Sequence, residues 1–410
     1  MNVEELVRDC LREQAAQQRP LGPGFADRVL AARRRRRTRR LACVAAATAA
    51  VVAVAVAVPS LSSGRHDSLP AGVLHGTGTT AHPDQSPPRE LIAAGNVALA
   101  AYYTEGLVKL SADAGATART YWLLDPRTGR YEKDSRWGFV AVAPGMRTAA
   151  VLERSMPARR IGLLDLATGK VERWIQLAHG VGGLTFSRDG SRLVATTYAE
   201  HPDLRRKETV HDAKGRPHDE WLAWPGASSR SGFSVVDVAT GHEGPWSKVS
   251  PGRDTVGRAD FSFTRDGALV YARIIGGRDG MQRFYDLAGK GVAAPAKERY
   301  LRSDVGARLS PSGTLAAVGL TAEAKDKSWS KIVDPATGKE IARVRGAELL
   351  AWADGRRLVA WERTPGAAEY RPRLVLVSIG SDKVVQLSGT REQDGPPGRK
   401  NVWQPVFAER

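Results

Sequence analysis

The chain is 410 residues long, 42% apolar, with 42 glycines, two cysteines and a net charge of +17. That length suits one large repeat array or two to three domains, and the apolar fraction is enough for a core. Cysteine is too scarce for a disulfide framework, and Cys10 and Cys43 lack metal-site neighbours, so both read as small apolar residues.

Residues 1–40 carry eleven arginines against five acids. Val3, Leu6, Val7, Cys10 and Leu11 fall at helical spacing, so a helix is expected over 3–18, stopped by Pro20. A second short helix is expected over 25–37, on Phe25, Val29 and Leu30. Neither is large enough for a core of its own. One reading is a solvated tail; the other is a segment that folds on a partner.

Arg33–Arg37, Arg39 and Arg40 place seven positive charges in eight residues, and Leu41–Val58 behind them has no charge. Eighteen residues reach about 27 Å as a helix, close to a hydrocarbon core of about 30 Å. Arginine clusters flank spans on the cytoplasmic side. A single transmembrane helix is therefore expected over 41–58, with the N-terminus cytoplasmic and the C-terminal domain extracytoplasmic. The same juxtaposition assigns the arginine run to the membrane face rather than to nucleic acid. A cleaved signal peptide would begin with a shorter basic segment, although Ala55, Val56 and Ala57 offer a cleavage site. Thr38–Leu41 matches a twin-arginine signal poorly, and Cys43 precedes the apolar run that a lipid-modified cysteine should follow. Residues 59–88 hold Pro59, Gly64, Pro70, Gly72, Pro83, Pro87 and Pro88 without periodicity, so a flexible linker is expected there.

From residue 89 to 410 one module recurs. Its first half is a hairpin with a tight turn at Gly95-Asn96, Pro144-Gly145, Asp189-Gly190, Asp266-Gly267, Ser312-Gly313 and Asp354-Gly355. Its second half is an apolar strand leading into Asp125…Gly129, Asp165…Gly169, Asp237…Gly241, Asp286…Gly289 or Asp334…Gly338. Glycine supplies the positive φ such turns need, and aspartate accepts bonds from the N–H groups ahead of it. These aspartates therefore read as turn formers rather than catalytic acids. The first-half turns lie 42 to 49 residues apart, apart from one gap of 77 between Asp189 and Asp266. Four short strands per period of that length describe the blades of a β-propeller, which bury their apolar faces against one another. The expected fold is all-β, with six blades or a seventh partial one. Closure is expected from Asn401–Phe407, or Val384–Leu387, pairing near Leu91–Ala101.

Ser187–Gly190, Thr264–Gly267 and Ser310–Gly313, each followed by a strand and its Asp…Gly turn, resemble the TolB-type and WD40-like propeller repeat over about residues 90–410. No unit has the Trp-Asp pair of the strict WD40 repeat, so the looser TolB-like class fits better. The arginine-rich tail and Ala/Val span resemble surface-anchored propeller proteins of high-GC Gram-positive bacteria. Asp27–Leu30 before the arginine run resembles the sigma-factor-binding ends of membrane regulators.

The gap of 77 holds the insertion Ala199–Ser231, read as a solvated polar loop or a binding lid. Its candidate ligand or partner residues are Arg205, Arg206, His211, His218, Trp221 and Trp224. The arginines would suit an anion, and the tryptophans suit an interface or packing of the loop onto its own blade. The histidines and nearby acids lack metal-site spacing. There is no nucleophile elbow, zinc-protease helix or phosphate loop, and Ser328…Lys331 fits Ser-x-x-Lys without its companion motifs. No catalytic residue, cofactor or metal is expected. The functional expectation is a membrane-anchored binding or scaffolding module for an envelope ligand or protein. The alternatives are a transmembrane regulator holding a sigma factor on its tail, and an envelope hydrolase or lyase.

Overall fold

The computed structural model describes residues 76–212, 214–224, 228–251, 257–274, 281–324, 327–366, 370–392 and 402–410. The expected tail (1–40) and span (41–58) lie outside the described residues. Arg65–Arg410 forms one compact unit. Among its described residues every regular element is a strand.

The strands group into consecutive antiparallel sheets. The first is built on Val97–Lys109, Ala114–Asp125 and Arg130–Asp134, and its remaining position beside Val97–Lys109 is filled by Gln404–Glu409 from the far end of the chain. Val406 stands opposite Ala101 and Phe407 opposite Leu99. The expectation that Asn401–Phe407 would close the fold near Leu91–Ala101 therefore holds. Val384–Thr390 instead ends the last sheet, against Pro372–Ser378. Gln404–Glu409 fills the flank of Val97–Lys109 that would otherwise stand unpaired.

The 17-residue strand Lys170–Phe186 is shared by two units. Its first part pairs with Ala158–Asp165, and Val181–Phe186 pairs with Arg192–Tyr198. Arg230–Asp237 and Ser247–Lys248 follow outward. Smaller sheets succeed it, built on Val270–Arg273, on Ala316–Ala324 with Lys327–Val333, and on Arg357–Arg363 with Pro372–Ser378. Neighbouring sheets bury apolar faces against each other. Phe233 meets Phe261 at 4.9 Å between ring centroids, and Leu358 and Val375 pack with Ile332 and Val344.

The recurrent turns share one geometry. In Asp125–Gly129, Asp165–Gly169, Asp237–Gly241 and Asp334–Gly338, the glycine N–H donates to the aspartate carbonyl at 2.8–2.9 Å. The aspartate Oδ1 accepts a second backbone N–H, from Arg127, Thr168, Thr240 and Thr337 respectively. At Asp189-Gly190 and Asp266-Gly267 the carboxylates accept from Ser191 and Ala268 N–H and from the hydroxyls of Ser187 and Thr264. Gly338 has φ +71°, and a Cβ there would lie 2.9 Å from Tyr300. Gly338→Ala is expected to cost about 1–2 kcal/mol, the left-handed penalty of an L-residue, and Gly338→Asn less. Urea midpoints of the two variants check the order.

Two expectations change. The linker 59–88 does not stay apart to its end. His82 N–H donates to Leu387 O at 2.9 Å, Gly389 N–H to Gln85 O at 2.7 Å, and Trp403 Nε1 to Ser86 Oγ at 3.1 Å. Residues 76–88 thus belong to the folded unit, because the last sheet's backbone still had donors and acceptors to satisfy. The insertion 199–231 is not a plain loop. Leu204–His211 and Pro217–Ala223 form a hairpin, and Leu204–Arg206 pairs with Ala114–Ala116 of the first sheet. The strand Ala114–Asp125 outruns Arg130–Asp134, which covers only Tyr121–Asp125. The hairpin takes the vacant edge and links the first sheet to the one from which it emerges.

Candidate functional site

The predicted residues are spread along this crossing hairpin. Arg205 Nε donates to Thr117 Oγ1 at 2.9 Å, so it fastens the hairpin to the first sheet. Arg206 pairs with Glu208. His211 stands opposite Pro217, and His218 opposite Val210, so the two histidines are exposed neighbours near the turn without facing each other. Trp221 lies over Gly115, whose Cβ would sit 3.2 Å from its ring, so it packs on the first sheet. Trp224 follows the hairpin, 39% exposed, its N–H on Leu204 O. Lys207 and Asp219 pair diagonally across the strands at 2.6 Å. Ser328 is fully buried in the strand Lys327–Val333. Among the described residues no group of three His, Cys, Asp or Glu is placed to hold a metal.

The hairpin's root contributes more chemistry than its body. Asp203 meets Arg258, with Nε 2.9 Å from Oδ1 and Nη2 2.5 Å from Oδ2. Arg258 Nη1 continues to Asp260 Oδ2 at 3.0 Å and to Gly182 O. Tyr198 OH donates to Asp260 Oδ1 at 2.7 Å and accepts the Ala259 N–H at 2.8 Å. Arg119, on the first sheet, reaches the same Asp203 at 3.8 Å and Glu105 at 3.5 Å. Both guanidinium groups lean on Phe139, at 5.6 Å for Arg119 and 5.1 Å for Arg258. Gly183 makes room for this network, since a Cβ there would lie 2.2 Å from Asp260 Oδ1.

The charges hold one another ionised. Burial pushes the Asp203 carboxyl up, but the charge and hydrogen bonds of Arg258, helped by Arg119, overcome it and bring it down to about 2. Burial works against the charge on Arg258, and Asp260 and Asp203 more than restore it. Burial, then the Asp260 charge, hold the Tyr198 phenol well above its ordinary range.

This network borders a cavity of about 520 Å³. Its walls come from strands nearest the closure: Phe139–Val142, Leu184–Phe186 and Pro405–Glu409. Tyr103, Arg119, Tyr121 and Arg258 lie at one end, and Arg188, paired with Glu409 at 3.0 Å, at the other. An apolar cavity with a few convergent polar groups is the usual form of a ligand site. Arg119, Arg258 and Asp260 were not among the sequence candidates. One signal was available: Thr117, Arg119, Tyr121 and Leu123 alternate onto one strand face, and a charge amid buried neighbours marks a special position.

Repeated antiparallel sheets, a strand shared between successive units and closure by the C-terminal strand define a β-propeller. No protein-family profile matches the chain, and no curated protein matches it. Solved structures with similarity include the Kuenenia stuttgartiensis hydrazine synthase, at 15% identity over 60% of this chain and 64% of that one, with a TM-score of 0.35. TolB from Acinetobacter baumannii is 16% identical over 72% of this chain and 68% of its own, with a TM-score of 0.37. The β-propeller domain of Myceliophteria thermophila Cps50 (Swd1) is 13% identical over 66% and 94%, with a TM-score of 0.30. The chain thus spans just under two thirds of the hydrazine synthase chain it resembles. The fold assignment rests on the strand pairing.

Proposed function

We propose that the chain is a single-pass membrane protein whose propeller, of six blades, is an extracytoplasmic binding or scaffolding module of the plasma membrane. Leu41–Val58 spans the bilayer, the arginine-rich tail stays in the cytoplasm, and the layout is that of the high-GC Gram-positive type. The protein carries out no catalytic step of its own. The observation that carries the binding role is the extension of the first sheet. The crossing hairpin and the tip it docks on carry Val108 (45% exposed), Leu110 (60%) and Trp224 on a rigid, hydrogen-bonded base. Exposed aromatic and aliphatic groups on an ordered scaffold are what a protein partner can bury with little ordering cost.

The membrane placement is tested with alkaline phosphatase fused after Arg40 or after Val58. Phosphatase activity is expected only from the fusion after Val58. Activity from the first fusion, or silence from the second, overturns the orientation. Capture of the envelope partner by the full chain is expected to weaken on Trp224→Ala with no change in urea midpoint.

A further inference from the structure

The cavity end at Arg119 is electrostatically unfinished. Arg119 is 8% exposed, yet its Nε has no hydrogen-bond partner among the described residues. Its two carboxylate neighbours stand at 3.5 and 3.8 Å, beyond the 2.7–2.9 Å of a charge-assisted bond. Arg258, one residue away in the same network, has every contact that Arg119 lacks. A buried cationic donor left in this state calls for a further acceptor. Asp203 cannot move to supply it, since both its oxygens are engaged by Arg258. Glu105 is the nearest carboxylate to the unpaired Nε, about one-third exposed, and it has no hydrogen bond to Arg119.

We propose that this end of the cavity is a binding site for the planar carboxylate of a small molecule with an apolar body, held by the Arg119 guanidinium in competition with Glu105. The guanidinium offers the paired N–H edge that carboxylates match. Tyr103, 5.1 Å from the Arg119 Cζ, and Phe139 supply faces on which a flat group can rest. The wall beyond, Val140, Val142, Leu184 and Phe186, is apolar and suits the remainder of the molecule. Arg119 and Arg258 together balance Asp203 and Asp260, and the incoming carboxylate competes with Glu105 for the unpaired side of Arg119. The inference does not depend on the membrane placement.

The experiment is titration of the purified full chain with benzoate, followed by saturation-transfer NMR, with benzamide and inorganic phosphate as comparison probes. Benzoate is expected to bind saturably, and benzamide, which lacks the charge, at least about tenfold more weakly. Arg119→Gln is expected to weaken benzoate by about tenfold or more, and Arg119→Lys to restore it only in part. Glu105→Gln removes the internal competitor and is expected to tighten benzoate several-fold. That group is outside the core and leaves the fold intact, so this arm stands even where Arg119→Gln unfolds. Equal binding of benzoate and benzamide, no saturation with benzoate, or no gain on Glu105→Gln overturns the proposal. Preferential binding of phosphate at Arg119 overturns the assignment to a planar carboxylate.

Discussion

Trp403→Ala is expected to destabilise the propeller by about 3–5 kcal/mol, the range for truncating a buried indole. Trp403 is fully buried at the seam where the C-terminal strand joins the first sheet. Its ring meets Trp361 at 5.1 Å and Tyr102 at 5.6 Å, so one side chain ties the last sheet to the first. Its Nε1 also holds Ser86, on the segment that enters the fold. Alanine leaves a void beside two aromatic neighbours and an unanswered hydroxyl. Trp403→Phe keeps much of the packing and is expected to lose less than half as much. Urea unfolding of the full chain checks both, and an alanine variant with an unshifted midpoint would show that the seam does not limit stability.

Asp203→Ala is expected to cost about 3 kcal/mol or more, because it strips Arg258 of its bidentate partner and leaves buried positive charge beside Arg119. Asp203→Asn retains the shape but loses the charge and one of the two acceptors that face Arg258. The acid dependence follows from the same carboxyl. Its folded value, about 2, lies below its ordinary 3.8. The stabilisation it gives, on the order of 2–3 kcal/mol, is complete above about pH 4–5 and fades as pH falls toward 2. Asp203→Asn is expected to flatten that part of the stability profile while keeping the neutral-pH fold. Equal acid slopes for the two proteins would remove Asp203 from the acid response.

The turns were legible because their causes are local. Gly129, Gly169, Gly190, Gly241, Gly267 and Gly338 all sit at positive φ, and the aspartates before them bond only to neighbours in the chain. The closing strand was legible because an apolar β-rich end must find a partner once the array curls. The crossing hairpin was not. Arg205, Arg206 and Lys207 lie on a strand that pairs with an edge instead of covering a core, so no apolar alternation announces it. The Arg119–Asp203–Arg258–Asp260 network was less legible still. Its members come from three stretches, with Arg258 and Asp260 sharing one, and only the fold brings Arg119, Asp203 and Arg258 together. The insertion stands out in sequence for its histidines and tryptophans, while Asp203 near its start holds the chemistry.

Beside the closing strand, Arg410 donates from its backbone to Asn96 and from its guanidinium to Gly95 and Gly78. On the ribosome, the first sheet therefore waits with one side of Val97–Lys109 unfilled until Gln404–Glu409 has been made and has cleared the exit tunnel. A nascent chain that stops short of Gln404 exposes a sticky flank of backbone amides, which proteases and chaperones can recognise as unfinished.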